Sequence, residues 1–534
     1  MGWVIHPALS FDTMKIIIVL LILIYSLNSS FSQNYIDQKY DRQRIIMDYF
    51  ASGCTNLDPN DTVIKVGTIF DFRNDTLEIR VADTIKGPNQ EVKYFTLGNV
   101  SQICNKEGEF LAYFNGAKLW DRFGNNIVLN TFYNEESNEY ASIYGLANSV
   151  ILPFPGINNQ YILINANEFV FDPISGVKIA NDLSAIIFKE ENDGKLDILG
   201  TIPQIYKDKY CFIGIITACR HANGRDWWLV CPRRRSNVFN LFLLDPSGIK
   251  FHHSQTMSPN ILYSSYAPTF SPDGRWYTRT ESKNAGDGKR IDYGQIFEFD
   301  RCSGIFSEPY EYTFPAEDTT SLSQIIFDKT SQYFYFLRSG TIYQGNINKP
   351  MTLENLEKVG EFNSAIKDFS GFNVMGGGFL APDNKIYTFD GRWSFGSSII
   401  NYPSEEGQNC GFEYSTLWKP ACGSLGLGNM PDFNLGPVDG SSCDTLGLDN
   451  PLSVDLPKEK SDFIVYPNPT NGLIYGEGEI IYKNHFLKIF DITGKTLYEG
   501  NSEDLRTGID LSDQPSGIYF IYIHEIGIKK IVKI

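Results

Sequence analysis

The stretch FSPDGRWY, residues 270–277, has a close parallel in LAPDNKIY, residues 380–387. In each, an apolar residue precedes a Pro-Asp turn, and Gly274 or Asn384 takes the position that favours a positive φ. An aromatic-rich strand then follows the turn. The aspartates Asp273 and Asp383 are 110 residues apart, and a looser copy with Asp328 lies midway between them. These segments indicate a repeating unit of about 55 residues, in which each aspartate caps its own turn.

Three earlier segments continue this spacing towards the N-terminus. They are CRHANGRDWWLVC (219–231), NNQYILINANEFVFD (158–172) and GEFLAYFNGAKLWDRFG (108–124). A recurrence of turn and strand over roughly 400 residues predicts an all-β β-propeller of about seven blades, each a four-stranded antiparallel sheet. Six or eight blades, or an array of two-sheet sandwiches, are the alternatives. We expect residues 61–72 or 75–85 to supply the strand that closes the ring.

The composition agrees with a β protein and argues against one class of partner. Aromatic residues make up 14% of the 534 residues and charged residues only 20%, which suits sheets better than helical bundles. The net charge of −17 argues against nucleic acid as a partner. The basic run at 233–235 is therefore interpreted as a solvated turn, with a small polyanion-binding patch as the alternative.

The N-terminal region has the pattern of an export signal. From Met14, one lysine precedes an uncharged apolar stretch at 16–27, which is too short to span a bilayer but fits a signal-peptide core. We expect translation to start at Met14 and cleavage to precede Gln33, so that residues 1–32 are removed. No later stretch has eighteen consecutive apolar residues, so no transmembrane segment is predicted in the mature chain.

The nine cysteines suggest disulfides in an exported protein, and the odd number leaves at least one unpaired. Candidate pairs are Cys219 with Cys231 and Cys422 with Cys443, although spacing alone leaves the connectivity open. No spacing is CxxC, and no motif for a nucleotide or metal is present, so neither a metal nor a cofactor is predicted. The adjacent residues His252 and His253 would point to opposite faces of a strand, which argues against joint metal ligation.

The densest group of polar and aromatic side chains is a candidate ligand-binding site. It consists of His221, Arg225, Asp226, Trp227 and Trp228. In a functional interpretation, a tryptophan is a stacking platform for a sugar or peptide, beside the histidine and arginine. In a structural interpretation, residues 222–224 form a hairpin turn, and the two tryptophans point alternately into the two blade interfaces.

The last 75 residues differ in pattern from the body. Residues 451–461 read as a linker, and about six or seven short strands follow in 462–534, which predicts a small Ig-like β-sandwich. The defining stretches are YPNPTNG (466–472), IFDITGKTL (489–497), LSDQPSGIYFIYI (511–523) and KKIVKI (529–534).

These stretches resemble the type A C-terminal sorting domain of the type IX secretion system. The residues that carry the resemblance are Tyr466, Pro467, Asn468, Pro469, Asn471, Gly472, Gly494, Gly517, Tyr519, Lys529, Lys530 and Lys533. The resemblance implies passage through the periplasm, recognition by the translocon and sortase, and release or attachment at the cell surface. An ordinary terminal Ig-like binding module is the alternative.

The propeller domain is expected to occupy residues 33–450, and most of residues 100–450 resembles a group of exported propeller proteins of Bacteroidota. The matching stretches are ACRHANGRDWWLV (218–230), FSPDGRWYTR (270–279), FEFDRCSG (297–304), MGGGFLAPDNKIY (375–387) and GNMPDFNLGPVDGSSCDTLGL (428–448). This resemblance implies the fold but no activity. We therefore expect a binding protein for an extracellular carbohydrate or protein ligand. The alternative is a propeller enzyme that acts on extracellular polysaccharide or peptide.

Overall fold

The computed structural model divides the chain into two compact units, Met1–Asp449 and Asn450–Ile534. It describes residues 38–47, 67–74, 76–81, 101–114, 118–127, 149–172, 177–208, 216–233, 236–257, 268–286, 289–315, 322–338, 341–361, 377–389, 396–418, 430–448, 463–478, 485–491, 495–523 and 527–534. The expected signal segment therefore lies outside the described residues. Within these ranges, no helix has the length and apolarity needed to cross a membrane.

In the described part of the first unit, antiparallel sheets follow one another along the chain. Sheet 1 consists of β1 (Gln43–Met47), β2 (Gly67–Asp71) and β3 (Glu78–Val81). Sheet 2 consists of β4 (Ser101–Cys104), β5 (Phe110–Phe114), β6 (Leu119–Asp121) and β7 (Asn126–Ile127). Sheet 3 consists of β8 (Ser149–Pro153), β9 (Gln160–Asp172), β10 (Val177–Glu190) and β11 (Leu196–Lys207). Sheet 4 consists of β12 (Thr217–Arg220), β13 (Trp227–Pro232), β14 (Val238–Asp245) and β15 (Gly248–Thr256).

Three further sheets complete the series. Sheet 5 consists of β16 (Trp276–Gly286), β17 (Lys289–Asp300), β18 (Ile305–Phe306) and β19 (Tyr310–Phe314), with β17 paired to both β18 and β19. Sheet 6 consists of β20 (Leu322–Phe327), β21 (Tyr333–Arg338), β22 (Thr341–Asn346) and β23 (Glu357–Glu361). Sheet 7 consists of β24 (Gly378–Leu380), β25 (Ile386–Phe389), β26 (Gly396–Ile400) and β27 (Phe412–Trp418). Short 3₁₀ turns occupy Leu353–Asn355 and Gly407–Cys410.

Each sheet packs against the next, and the last packs against the first. One contact represents each junction along the series: Gln43 with Cys104, Ser101 with Ser149, Tyr206 with Phe242, Phe239 with Phe297, Trp276 with Phe327, and Gln324 with Gly378. At the closing junction, Phe70 of β2 contacts Phe379 of β24 with 6.0 Å between ring centroids, and both are buried. The described residues of the first unit therefore form a β-propeller of seven sheets, in agreement with the figure of about seven blades expected from the repeat.

The ring closes in a different way from the one expected. Residues 61–72 and 75–85 contain β2 and β3, which pair with each other inside sheet 1. In the described residues neither strand pairs with sheet 7. Closure comes from apolar packing, in which Phe70 and Phe72 join Phe379 and Tyr387 in one buried cluster.

A tight turn recurs at the same end of successive sheets. Gly274 and Asn384 have φ values of 71° and 65°, which confirms the positive φ predicted from the sequence. Asp273 Oδ1 accepts a hydrogen bond from the backbone N–H of Arg275, and Asp383 Oδ1 accepts one from Lys385. Both aspartates therefore cap their turns, as expected.

We call this end of the propeller the upper face. In sheets 2, 3, 4, 6 and 7 it comprises the turn between the first and second strands and the turn between the third and fourth strands. In sheet 5 the corresponding turns are the one that precedes β16 and the one between β17 and β18. These turns span residues 105–109, 122–125, 154–159, 191–195, 221–226, 246–247, 271–275, 301–304, 328–332, 347–356, 381–385 and 401–411. Turns of neighbouring blades touch there, since the backbone N–H of Asp273 donates to Ser331 Oγ at 3.0 Å.

Asp328 accepts more hydrogen bonds at its turn than Asp273 and Asp383 accept at theirs. It is buried and accepts backbone hydrogen bonds from Thr330, Gln332 and Tyr333 at 2.8–3.0 Å. Ser404 of the next blade donates its hydroxyl to the same carboxylate at 2.7 Å. Asp328 thus links the upper turn of sheet 6 to sheet 7.

We expect Asp328→Ala to lower the free energy of unfolding of the propeller by about 3 kcal/mol, because donors of four residues lose the buried carboxylate that accepts their hydrogen bonds. Asp383→Ala is the matched control. Asp383 is half-buried and accepts from Lys385 and the Tyr387 hydroxyl, so its loss should cost about 1 kcal/mol. Denaturant titration measures both, and equal losses in the two variants would contradict the assigned role.

The second unit is a small β-sandwich. One sheet contains β28 (Ile464–Tyr466), β29 (Leu473–Glu477) and β32 (Ile509–Asp510), and the other contains β30 (Phe486–Asp491), β31 (Thr496–Asn501), β33 (Gly517–Ile523) and β34 (Gly527–Lys533). A single helical turn, α1 (Asp504–Thr507), precedes β32. Side chains from both sheets, including Ile474, Leu487 and Ile521, form its own buried core. The predicted sandwich is confirmed.

Candidate functional site

The predicted ligand-binding side chains meet at the upper turn of sheet 4, where they bond mainly to each other. Asn223 Nδ2 donates to Asp226 Oδ2 at 2.7 Å, and Arg225 Nε donates to Asp226 Oδ1 at 2.7 Å. Asn223 Oδ1 in turn accepts the backbone N–H groups of Arg225 and Asp226. Gly224 has a φ of 75°, and an added Cβ would lie 2.7 Å from Pro437. The turn is therefore organised by its own polar side chains.

His221 is fixed on both sides of its ring. Its Nδ1 accepts the backbone N–H of Asn223 at 3.1 Å, so Nε2 carries the proton and donates to the carbonyl of Cys302 at 3.2 Å. Burial lowers the pKa of His221 below its usual value. The imidazole is therefore neutral at pH 7 and joins the turn of sheet 4 to that of sheet 5.

The two tryptophans are both buried and point to opposite sides of sheet 4. Trp227 packs into the core shared with sheets 2 and 3, while Trp228 packs into the core shared with sheet 5. The Arg220 guanidinium lies 3.9 Å above the ring of Trp227, and Trp228 Nε1 donates to the carbonyl of Arg301 at 2.7 Å. Their placement follows the structural interpretation, since neither indole offers a free face to a ligand.

Residues 430–448 extend over the upper face. Phe433 contacts Tyr40 and Trp227, with ring centroids 5.5 and 5.9 Å apart, and Val438 donates its backbone N–H to Ala222 at 2.9 Å. Cys443 near the end of this segment forms a disulfide with Cys302 in the upper turn of sheet 5. The segment is therefore attached to the propeller at several points.

Both predicted disulfide pairs, Cys219 with Cys231 and Cys422 with Cys443, are wrong. Cys443 bonds to Cys302, while Cys422 lies outside the described residues. Cys219 and Cys231 are buried free thiols. The β12–β13 register places Cys219 opposite Trp228 and Thr217 opposite Val230, so the two cysteines are offset by three positions. They consequently face opposite sides of the sheet and enter different cores.

Sequence reasoning missed a set of exposed apolar side chains on the upper face. Phe123, Ile157, Leu353 and Tyr402 belong to turns of four different blades, and Tyr402 is 63% exposed. The Arg122 guanidinium lies 5.1 Å from the ring centroid of Phe123. The sequence feature that could have revealed them is an aromatic residue inside an otherwise polar turn, as in DRFGNN (121–126).

No described residues form a group of three or more His, Cys, Asp or Glu side chains suited to hold a metal ion. This is a statement about the described ranges alone. The predicted absence of metal and cofactor therefore stays a prediction.

In the second unit, the YPNPTNG stretch and the last strand are held together. Asn468 Nδ2 donates to the carbonyl of Lys530 at 2.7 Å, and Asn468 Oδ1 accepts the N–H of Val532 at 2.8 Å. Thr470 forms an isolated bridge with Lys533. A Cβ added to Gly472, where φ is 147°, would lie 2.3 Å from the Ser512 hydroxyl, so the chain passes closely there.

The other predicted sorting residues lie close to this contact. Tyr466 is exposed and stacks on Tyr475, and Pro467, Pro469 and Asn471 are exposed. Gly517 pairs with Lys533 in the β33–β34 register, Tyr519 is buried, and the Lys529 ammonium lies 5.6 Å from the ring centroid of Phe463. Gly494 lies outside the described residues. The sequence motif is therefore a structural contact between the two ends of the sandwich.

The two units define a β-propeller protein with a separate C-terminal β-sandwich. Residues 464–534 match the family described as the secretion system C-terminal sorting domain, which confirms the resemblance seen in the sequence. The protein is therefore secreted or attached at the outer surface of the cell, and its tail indicates handling by the type IX secretion system.

Comparison with solved structures found distant likenesses. A protein from Bacteroides uniformis has 12% identity and a TM-score of 0.33, with 92% of this chain and 99% of that chain covered. The Cps50 (Swd1) β-propeller domain from Myceliophteria thermophila has 10% identity and a TM-score of 0.33, with 61% and 86% covered. The WD40 domain of SCAP from fission yeast has 9% identity and a TM-score of 0.31, with 60% and 84% covered. A search of curated proteins found no match.

Proposed function

We propose that the protein is an extracellular binding protein whose propeller holds a carbohydrate or protein ligand on its upper face. The observation that supports this proposal is the exposure of Phe123, Ile157, Leu353 and Tyr402 on turns of four blades. Aromatic side chains that are held on rigid turns offer contact area at low entropic cost, and such residues dominate binding energies.

The surrounding groups supply polarity beside these apolar contacts. Arg122 is half-buried and stacks against Phe123, while Arg225 is half-buried in the turn of sheet 4. Both guanidinium groups are able to donate hydrogen bonds to hydroxyl or carboxylate oxygens of a ligand. His221 and Asp226 support the turn that presents Arg225.

Export fits this function. We infer that the translocon recognises the folded sandwich, that a sortase removes it, and that the propeller is delivered outside the cell. The propeller is suited to this path because its last segment is secured by a disulfide that lies before residue 449.

A glycan array and a panel of extracellular proteins, probed with the full-length protein, test the proposal. We expect the double variant Phe123→Ala/Tyr402→Ala to bind its ligand at least tenfold more weakly, since contacts of this kind are worth about 2 kcal/mol. The matched control is Leu199→Ala, because Leu199 is 47% exposed but lies on the outer strand β11. Undiminished binding by the double variant, or an equal loss in the control, would contradict the proposed face.

A further inference from the structure

The side chains of two adjacent histidines on the outer strand of sheet 4, His252 and His253, lie closer together than neighbouring side chains of a regular strand. The β14–β15 register steps from Leu241 opposite His253 to Phe242 opposite Phe251, so His252 is the extra residue of a β-bulge. A bulge interrupts the alternation of side chains and re-aims the residue it contains. As a result, the two Nδ1 atoms lie 2.8 Å apart. The expectation that the pair would point to opposite faces was therefore wrong.

The surroundings hold both rings in place and leave the pair open to solvent. His252 is exposed and His253 is half-buried. Both stand nearly perpendicular to the indole of Trp228, with ring centroids 5.0 and 6.3 Å away. Trp228 is itself fixed by its hydrogen bond to the Arg301 carbonyl. Two imidazoles held in this way lose little freedom when they bind a common partner.

We propose that His252 and His253 together bind one divalent transition-metal ion, Cu(II) or Ni(II), through their Nδ1 atoms. With metal–nitrogen distances of about 2.0–2.1 Å, a separation of 2.8 Å between the nitrogens corresponds to an angle of about 85° at the metal. This is the cis angle of square-planar or tetragonal coordination, which Cu(II) and Ni(II) adopt with nitrogen and oxygen ligands. A tetrahedral Zn(II) site would need the nitrogens about 3.3 Å apart.

Metal binding at this pair needs only a tautomer change. In the metal-free protein at least one ring carries its proton on Nδ1 and donates it to the other Nδ1. When both Nδ1 lone pairs bind the ion, the Nδ1 proton of the exposed His252 moves through solvent to Nε2 of the same ring, a route open to His252 because the buried ring nitrogen is Nε2 of His253. Water completes the remaining coordination positions on the solvent side of His252.

Titration of the full-length, untagged protein with CuCl₂ in a weakly chelating buffer tests the proposal. We expect one Cu(II) per chain, an electron paramagnetic resonance signal of a tetragonal site with two nitrogen ligands, and partial quenching of tryptophan fluorescence. The quenching should be incomplete because Trp228 is one of seven tryptophans. NiCl₂ should compete for the site more strongly than ZnCl₂.

Substitution of each histidine distinguishes metal binding at this pair from metal binding elsewhere on the protein. His252→Ala and His253→Gln should each weaken Cu(II) binding at least tenfold, because changes even to outer-shell groups cost 10–100-fold. His485→Ala is the control, since His485 lies in the other unit and should leave binding unchanged. Unchanged Cu(II) affinity in the His252→Ala/His253→Gln double variant, or tighter binding of Zn(II) than of Cu(II), would overturn the proposal.

Discussion

A chain that lacks residues 462–534 is expected to fold its propeller but to remain inside the cell envelope. The matched sorting domain occupies 464–534, so this deletion removes the whole feature that the secretion system recognises. The sandwich has its own core, and the seven blades and the Cys302–Cys443 disulfide all lie before residue 449. The loss of surface delivery should therefore be nearly complete, with no loss of propeller folding.

Fractionation of cells that express the full and shortened chains measures this effect. The control is the disulfide in the retained protein, detected as a mobility difference between the shortened chain and its Cys302→Ser variant on a non-reducing gel. Its presence would show that the shortened chain reached an oxidising compartment and folded there. Surface delivery of the shortened chain at the level of the full chain would refute the sorting role of the tail.

The repeat could be predicted because its turns depend on local chemistry. Gly274 and Asn384 mark positions where the backbone needs a positive φ, and Asp273 and Asp383 cap the same turns, so four residues are enough to reveal the period. Asp328 resembles a third copy but occupies an earlier position of its turn, where it accepts local backbone hydrogen bonds and also one from Ser404, which is distant in sequence. Local pattern gave the period but not the inter-blade contacts.

The errors at the candidate site share a physical cause. Cys302 and Cys443 are 141 residues apart, and they meet because residues 430–448 lie across the upper face, which no local pattern encodes. The His252 bulge likewise depends on the register with β14, and a shift of one residue reverses which face a side chain occupies. By contrast, the alternation of Trp227 and Trp228 was predictable, since it follows from the pleat alone.

Arg301 joins three parts of the propeller through backbone carbonyls. Its guanidinium donates to Arg220 at 2.9 Å and to His221 at 3.3 Å in sheet 4, and to Gly436 at 2.5 Å in the segment that crosses the upper face. The side chain is buried, and burial lowers the pKa of Arg301 below its usual value. Burying the guanidinium has a desolvation cost. This cost is offset because one side chain donates hydrogen bonds to the carbonyls of all three residues.

Replacing Arg301 with alanine is expected to lower the free energy of unfolding of the propeller by about 3 kcal/mol, because buried and partly buried carbonyls lose a charged donor and a cavity forms. Tryptophan fluorescence during denaturant titration reports this change without a signal from the sandwich, since none of the seven tryptophans lies within Asn450–Ile534. Arg275→Ala is the control, because the exposed Arg275 side chain forms an ion pair with Glu298 and lies 5.1 Å from the ring centroid of Trp276, and its loss should cost about 1 kcal/mol. Proteolysis should also cut residues 430–442 faster in Arg301→Ala, since the disulfide at Cys443 then has to hold the segment with less support. Equal stability of the two variants would show that Gly436 and sheet 4 stay joined without the arginine.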